Sequence, residues 1–243
     1  MLRAYLEQRW FILRPLPSLR LPPRTVVLTF DDGPNAHADV TARLLAVLAR
    51  HGVRAAFSLI GDQVDREPQL VRQVYRAGHL LVNHSYAHHR LLLFHAGMLE
   101  REIDRCDAAI ADALGLADFR ARCFRPPGGW MTRCVREVLQ RRALTLCPLT
   151  RWLDDSRYGP HHAHQVLEAT WQQIRRDEGG MFVFHERLPE PDCRRPEHLA
   201  SPYHRANRSW VPDAVDQLIT RLTRDGYTVG IDPWLQANAD RSG

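Results

Sequence analysis

The chain has 243 residues, 44% of them hydrophobic and 25% charged, enough for one large domain with a sizeable core. Its net charge of +5 rests on 33 basic residues, all of them arginine and spread along the chain rather than clustered. With no basic tract interleaved with aromatics, this argues against a nucleic-acid-binding module, and no run approaches the roughly 20 apolar residues of a membrane span.

The five cysteines are odd in number and form no C-x-x-C pair, which suits a reducing compartment better than a disulfide framework. Near the N-terminus the longest apolar run, Trp10 to Leu13, is too short for a signal-peptide core, so the chain reads as cytoplasmic. Residues 14–23 hold four prolines and no periodicity, so 1–23 reads as an arm. A single domain over 24–236 and a short tail, 237–243, follow.

From Thr25 onward short apolar runs alternate with helical patterns. The run at 25–30 precedes a helix whose face carries Val40, Leu44, Leu45 and Leu48, with Gly52 just past its end. Strands are predicted at 55–60, 80–84, 121–124, 144–149, 181–185 and 227–231, and helices near 68–77, 96–114, 132–142, 163–178 and 212–225. Gly78, Gly115, Gly179 and Gly226 punctuate the helix ends. Short apolar strands alternating with helices indicate a parallel sheet buried on both faces. About seven such units favour a barrel, and no Gly-rich dinucleotide fingerprint follows the first strand.

In a barrel of this kind the residues just after each strand share one rim. Here those are Asp31 and Asp32, His84 and His88, Arg125, Asp154 and Asp155, and His185. A helical turn would put two histidines four residues apart on one face, able to bind one cation. Either aspartate can supply an oxygen ligand, and His89 would replace His88 if the register shifted by one. In extended backbone adjacent aspartates point apart, but a bend at Gly33 and Pro34 lets one reach a metal and the other its water. Arg125 could pair with that second carboxylate, and a carboxylate such as Asp155 would keep His185 protonated as an acid for a leaving group.

Together these segments resemble the polysaccharide deacetylase family, the NodB-homology domain of carbohydrate esterase family 4. "TFDDGP" (29–34) is similar to its first motif, "HSYAHHRL" (84–91) to its second, "RPPGG" (125–129) to its third and "VFH" (183–185) to its last. The resemblance runs over about residues 25–231. It implies a distorted (β/α)7 barrel and metal-dependent N-deacetylation of an N-acetylated amino sugar. It further implies Asp31 as general base, and Asp32, His84 and His88 as ligands of a divalent metal, zinc or else cobalt, nickel or manganese. Arg125 would hold the base, Asp155 would serve His185, the general acid, and the Gly128 N–H would face the oxyanion.

There are departures from the family pattern. Gly128 stands where the family has an aromatic, leaving Pro127, Trp130 and Trp152 as candidates for the groove wall. Ser156 stands where a tryptophan is usual, and Asp154 rivals Asp155 for the acidic position. The segment 186–211 is long enough to act as a lid or specificity loop, and its Arg194, Arg195, Arg205 and Arg208 could meet a phosphate or carboxylate on the substrate. The expected substrate is thus an oligosaccharide, glycolipid or nucleotide-linked sugar. Alternatives are a non-sugar N-acyl or cyclic amide substrate, or a catalytically silent binding protein. Oligomeric state has no signature in the sequence.

Overall fold

The strand β1 (Thr25–Gly33) is the axis of the molecule, and all nine of its residues are buried. A computed structural model describes residues 21–149, 154–189, 193 and 195–238. Residues 1–20 of the arm, with the apolar run Trp10 to Leu13, and the end of the tail lie outside the described residues. β1 pairs in parallel with β2 (Ala56–Leu59), β6 (Gly180–His185) and, at its start, β7 (Thr228–Val229). β3 (Leu80–Asn83), β4 (Cys123–Phe124) and β5 (Thr145–Leu146) extend the sheet in the order β5-β4-β3-β2-β1-β6. Every pairing is parallel, and none among the described residues joins β5 to β6, so the distorted (β/α)7 barrel curls without closing. All seven predicted strands are present. β1 runs three residues further than its apolar pattern, because its ladder continues until Asp31 pairs with His185 and Gly33 with Leu59.

Helices α1 (Val40–Arg50), α3 (Pro68–Arg76), α4 (Ala96–Leu114), α5 (Arg133–Arg141), α6 (Ala163–Asp177) and α8 (Val211–Arg224) fall where the 3.6-residue period predicts them. Three short helices go unpredicted: α2 (Gly61–Arg66), α7 (Pro196–Ala200) and α9 (Asp232–Asn238). At five to seven residues they are too short to show a period. No helix among the described residues is long and apolar enough to cross a membrane.

The two-residue alternation of β1 and β6 sorts the core into two layers. Val26, Leu28, Phe30, Phe182 and Phe184 pack outward with Leu44, Leu48, Val215 and Ile219 of the helices. Each such fully buried large side chain contributes about 1.5–3 kcal/mol. Val27 and Met181 face the other way, into a barrel interior shared with Ala56, Val82, Cys123, Cys147, Ile231 and Trp234. Two and four residues further along the same face stand Thr29 and Asp31 on β1, and Val183 and His185 on β6. The apolar plug thus gives way, toward the C-terminal strand ends, to the polar residues of one rim.

Candidate metal centre and active site

Asp32 leaves the strand alternation. The register with β2 shifts between Asp31 and Gly33, and Asp32 adopts φ 69°, a left-handed conformation that Asp tolerates better than most residues. This turn brings its carboxylate to the same rim as that of Asp31. Asp32 Oδ1 lies 3.3 Å from Nε2 of both His84 and His88, and ligand atoms of all three residues fall within 4.8 Å of one another.

The two histidines do not ride a helical turn, as their spacing implied. They sit on a loop after β3 with Ser85 at φ 65° and His88 at φ 56°. The loop is tied from beneath. Asn83 Oδ1 accepts the Ser85 N–H at 2.9 Å, Ser85 Oγ accepts the His88 N–H at 3.0 Å, and Glu102 accepts the Ala87 N–H at 2.7 Å. Asn83 is itself anchored through Nδ2 to Asp107 and the Ile103 carbonyl, both at 2.9 Å.

These donors fit a divalent cation. His84 Nδ1 is 2.7 Å from the Arg125 carbonyl, which can only accept, so Nδ1 carries a hydrogen and Nε2 is the ring nitrogen turned toward Asp32. Burial, with the neighbouring His84 and His185, pushes His88 down to about 4 against the pull of Asp32, so its imidazole is neutral at pH 7. Asp32 Oδ1 is buried without a hydrogen bond. Burial alone would raise this carboxyl, but His88, His84 and His185 hold it well below the usual carboxylate range. A buried anionic oxygen facing two imidazole nitrogens is a set that a metal ion would satisfy.

Asp31 pairs instead with Arg125, while its Oδ2 stays 3.9 Å from His84 Nε2. Arg125, fully buried after β4, donates from Nη1 to Asp31 Oδ1 at 2.5 Å and to Thr29 Oγ1 at 2.8 Å. Its Nη2 donates to the Pro148 carbonyl at 3.0 Å and to Cys147 Sγ at 3.1 Å. Burial would raise the Asp31 carboxyl, but Arg125 above all, then His84 and His185, holds it below its ordinary range.

His185 ends β6. Its Nδ1 is 2.6 Å from Asp155 Oδ1, and its backbone N–H donates to Asp155 Oδ2 at 2.9 Å. Burial disfavours the imidazolium, but the Asp155 carboxylate outweighs it and raises His185 to about 9. Of the two candidate acids, Asp155 meets the histidine. Asp154 turns to Ser156 and to Arg157 Nε, the latter at 2.5 Å.

A cavity of about 120 Å³ collects both sides: Asp31, Asp32, His84, His88 and His185 line it together with Gly128 and Ser156. Gly128 has φ 65°, and a Cβ there would stand 2.9 Å from Arg90 Nε, so the Arg90 side chain fills the space beside it. Arg90 and Arg205 both line the cavity: Arg205 is one of the loop arginines expected to meet the substrate, whereas Arg90, inside the second motif, had no role assigned from the sequence. Val183 also lines it and was legible from its parity with His185. Pro127 is buried and Trp130 packs against Phe94 and under Arg90, both outside the cavity lining. Trp152 and Arg194 lie outside the described residues. Leu188, Pro189 and Arg205 bring the 186–211 segment to the edge of the cavity. Arg208 of that segment is fully buried and cannot meet a substrate, while Arg195 is exposed at the start of α7. A wider groove of about 830 Å³ continues past His88, His89, Arg90 and Pro189.

The polysaccharide deacetylase family model matches residues 19–147, which hold the first three motifs. The chain belongs to the polysaccharide deacetylase family. A chitooligosaccharide deacetylase from Rhizobium leguminosarum bv. trifolii is 44% identical over 191 residues, 78% of this chain and 81% of that protein. Among solved structures, a T48 deacetylase with substrate superposes with a TM-score of 0.67 at 23% identity, covering 88% of this chain and 92% of the other. A pseudoenzyme of carbohydrate esterase family 4 from Bacillus anthracis superposes with a TM-score of 0.63 at 19% identity, over 90% of this chain and 68% of that one. Fold similarity at that level therefore leaves activity to be argued from the site.

Proposed function

We propose that this family member is a hydrolase that removes the acetyl group from an N-acetylated amino sugar, releasing acetate and a free amine. One observation carries the reading: the Asp32–His84–His88 set, the Asp31–Arg125 pair and the Asp155–His185 pair converge on a single rim. Asp32, His84 and His88 would hold a divalent cation, zinc first and cobalt, nickel or manganese as alternatives, which would supply Lewis acidity to the acyl oxygen and to the attacking water. Asp31, kept ionised by Arg125, takes a proton from that water. The Gly128 N–H, at the cavity wall, donates to the oxygen that gains charge as the carbonyl becomes tetrahedral. His185, protonated at neutral pH, delivers a proton to the departing nitrogen as the C–N bond breaks.

The chitooligosaccharide deacetylase relative supports a glucosamine-type oligosaccharide, and the groove beside the cavity gives room for a second sugar ring. Arg90 and Arg205 at the cavity support a substrate bearing an anionic group such as phosphate.

The test is acetate release from N-acetylated oligosaccharides, with and without phosphate groups, by protein loaded with zinc, stripped by chelator, and reloaded. Release that stops on chelation and returns with metal is expected. Metal-loaded protein that frees no acetate from any of them would overturn the proposal.

A further inference from the structure

Arg208 arrives from the far end of the long segment between β6 and α8, three residues before the helix begins, and its side chain is completely buried. A buried guanidinium is costly unless its donors are used. Here Nε donates to the His185 carbonyl at 2.9 Å, and Nη1 donates to the carbonyls of Asp155 at 3.0 Å and Tyr158 at 2.8 Å. Nη1 also reaches the Arg205 carbonyl at 3.4 Å, and Nη2 donates to Asp155 Oδ2. The indole of Trp210 lies 4.8 Å from the guanidinium carbon.

Three of these contacts fall on the two residues of the acid pair. We infer that Arg208 is the positioning residue of the acid half of the site, fixing the Asp155 carboxylate and the end of β6 so that His185 aims its proton at the departing nitrogen. This rests on the hydrolase reading given above. Asp155 Oδ2 is taken by Arg208 and by the His185 N–H, which leaves Oδ1 to His185 Nδ1 alone. The planar fork reaches a carbonyl and a carboxylate of different segments at once, which a lysine ammonium cannot reproduce. A mere loop staple needs no bond to the Asp155 side chain.

The experiment compares wild type, Arg208→Gln, Arg208→Lys, Asp155→Asn and the Arg208→Gln/Asp155→Asn double variant on an N-acetylated chitooligosaccharide, each with its metal content measured. A general acid contributes about 10²- to 10⁴-fold, and a displacement near 1 Å can cost roughly 10²-fold. Arg208→Gln is therefore expected to lower kcat by about 10²-fold with KM within about threefold and metal content unchanged, and Arg208→Lys to restore less than about tenfold. The double variant should match Asp155→Asn, since the two residues act as one unit. Wild-type kcat in Arg208→Gln, or losses that multiply in the double variant, overturns the assignment. If Arg208→Gln fails to fold, Arg208→Lys decides by the same split: a fall in kcat alone supports the assignment, and an unchanged kcat overturns it. Acetate release by wild type with no effect of Arg208 variants sinks this assignment only, whereas no release by wild type sinks the hydrolase reading with it.

Discussion

Two buried arginines serve the two halves of this site, and they are built in differently. On the base side Arg125 follows β4 directly, and its partners Asp31 and Thr29 stand on β1, so sheet hydrogen bonds fix both ends of the pair. On the acid side only His185 belongs to the sheet. Asp155 opens a short 3-10 turn (Asp155–Arg157), and Arg208 returns from a segment of more than twenty residues. A strand-borne pair is held by the cooperative core, while a turn-borne pair is only as well placed as the loops that deliver it. The base half should therefore respond to substitution mainly through charge, and the acid half through geometry as well.

The largest expected effect sharpens that contrast on the base side. Asp31→Asn should retain metal yet lose about 10²- to 10⁴-fold in kcat, whereas His84→Ala should lose the metal itself. Metal analysis beside acetate release separates the two, and a fully active Asp31→Asn removes the general-base role. Next comes Arg125→Met, which strands a buried carboxylate. Breaking such a pair costs about 3–5 kcal/mol in stability, read by chemical denaturation. The acid limb of kcat/KM should also move to higher pH, because Arg125 is what holds Asp31 down.

On the acid side Asp155→Asn should shift the basic limb of the pH profile. His185 is raised to about 9 by Asp155, so its proton is present through neutral pH and lost as pH climbs past that value. Without the carboxylate the loss comes at lower pH, and a limb that does not move would break the assigned pairing.

The smallest effect tests the joint between the halves. Glu186, next to His185, is fully buried against Gly33, where an added Cβ would stand 1.6 Å from its Oε1. Thr41 Oγ1 donates to its carboxyl, and burial raises that group from 4.5 to about 8. Its folded-state pKa being the higher, its contribution is full below 4.5 and is lost as pH rises toward 8, by on the order of a few kcal/mol. Glu186→Gln should flatten this decline in thermal midpoint between pH 5 and 8, and an unchanged slope would show that Glu186 is not its source.

Much of this was legible in the sequence because periodicity reports burial. The seven strands and six of the helices follow from apolar spacing alone. So did the residues that gather on the rim, because parallel connectivity sends every strand end the same way. Their local conformations were not legible. A spacing of four promised a helical turn for His84 and His88, but the Asn83–Asp107 anchor and two left-handed residues made it a loop. Nor could spacing choose between Asp154 and Asp155, which differ only in what each meets.

Sequence by itself determined which chemical groups this protein owns and that they share one end of a parallel barrel, since hydrophobic periodicity and strand direction are local properties. The tertiary structure decided how the partners meet. Asp32 went to the histidines and Asp31 to Arg125 through a register shift of one residue in β1. Arg208, which the sequence offered as a loop contact for an anionic substrate, is instead buried beneath Asp155 just before α8, where its guanidinium donates to the carbonyls and the carboxylate of the acid pair.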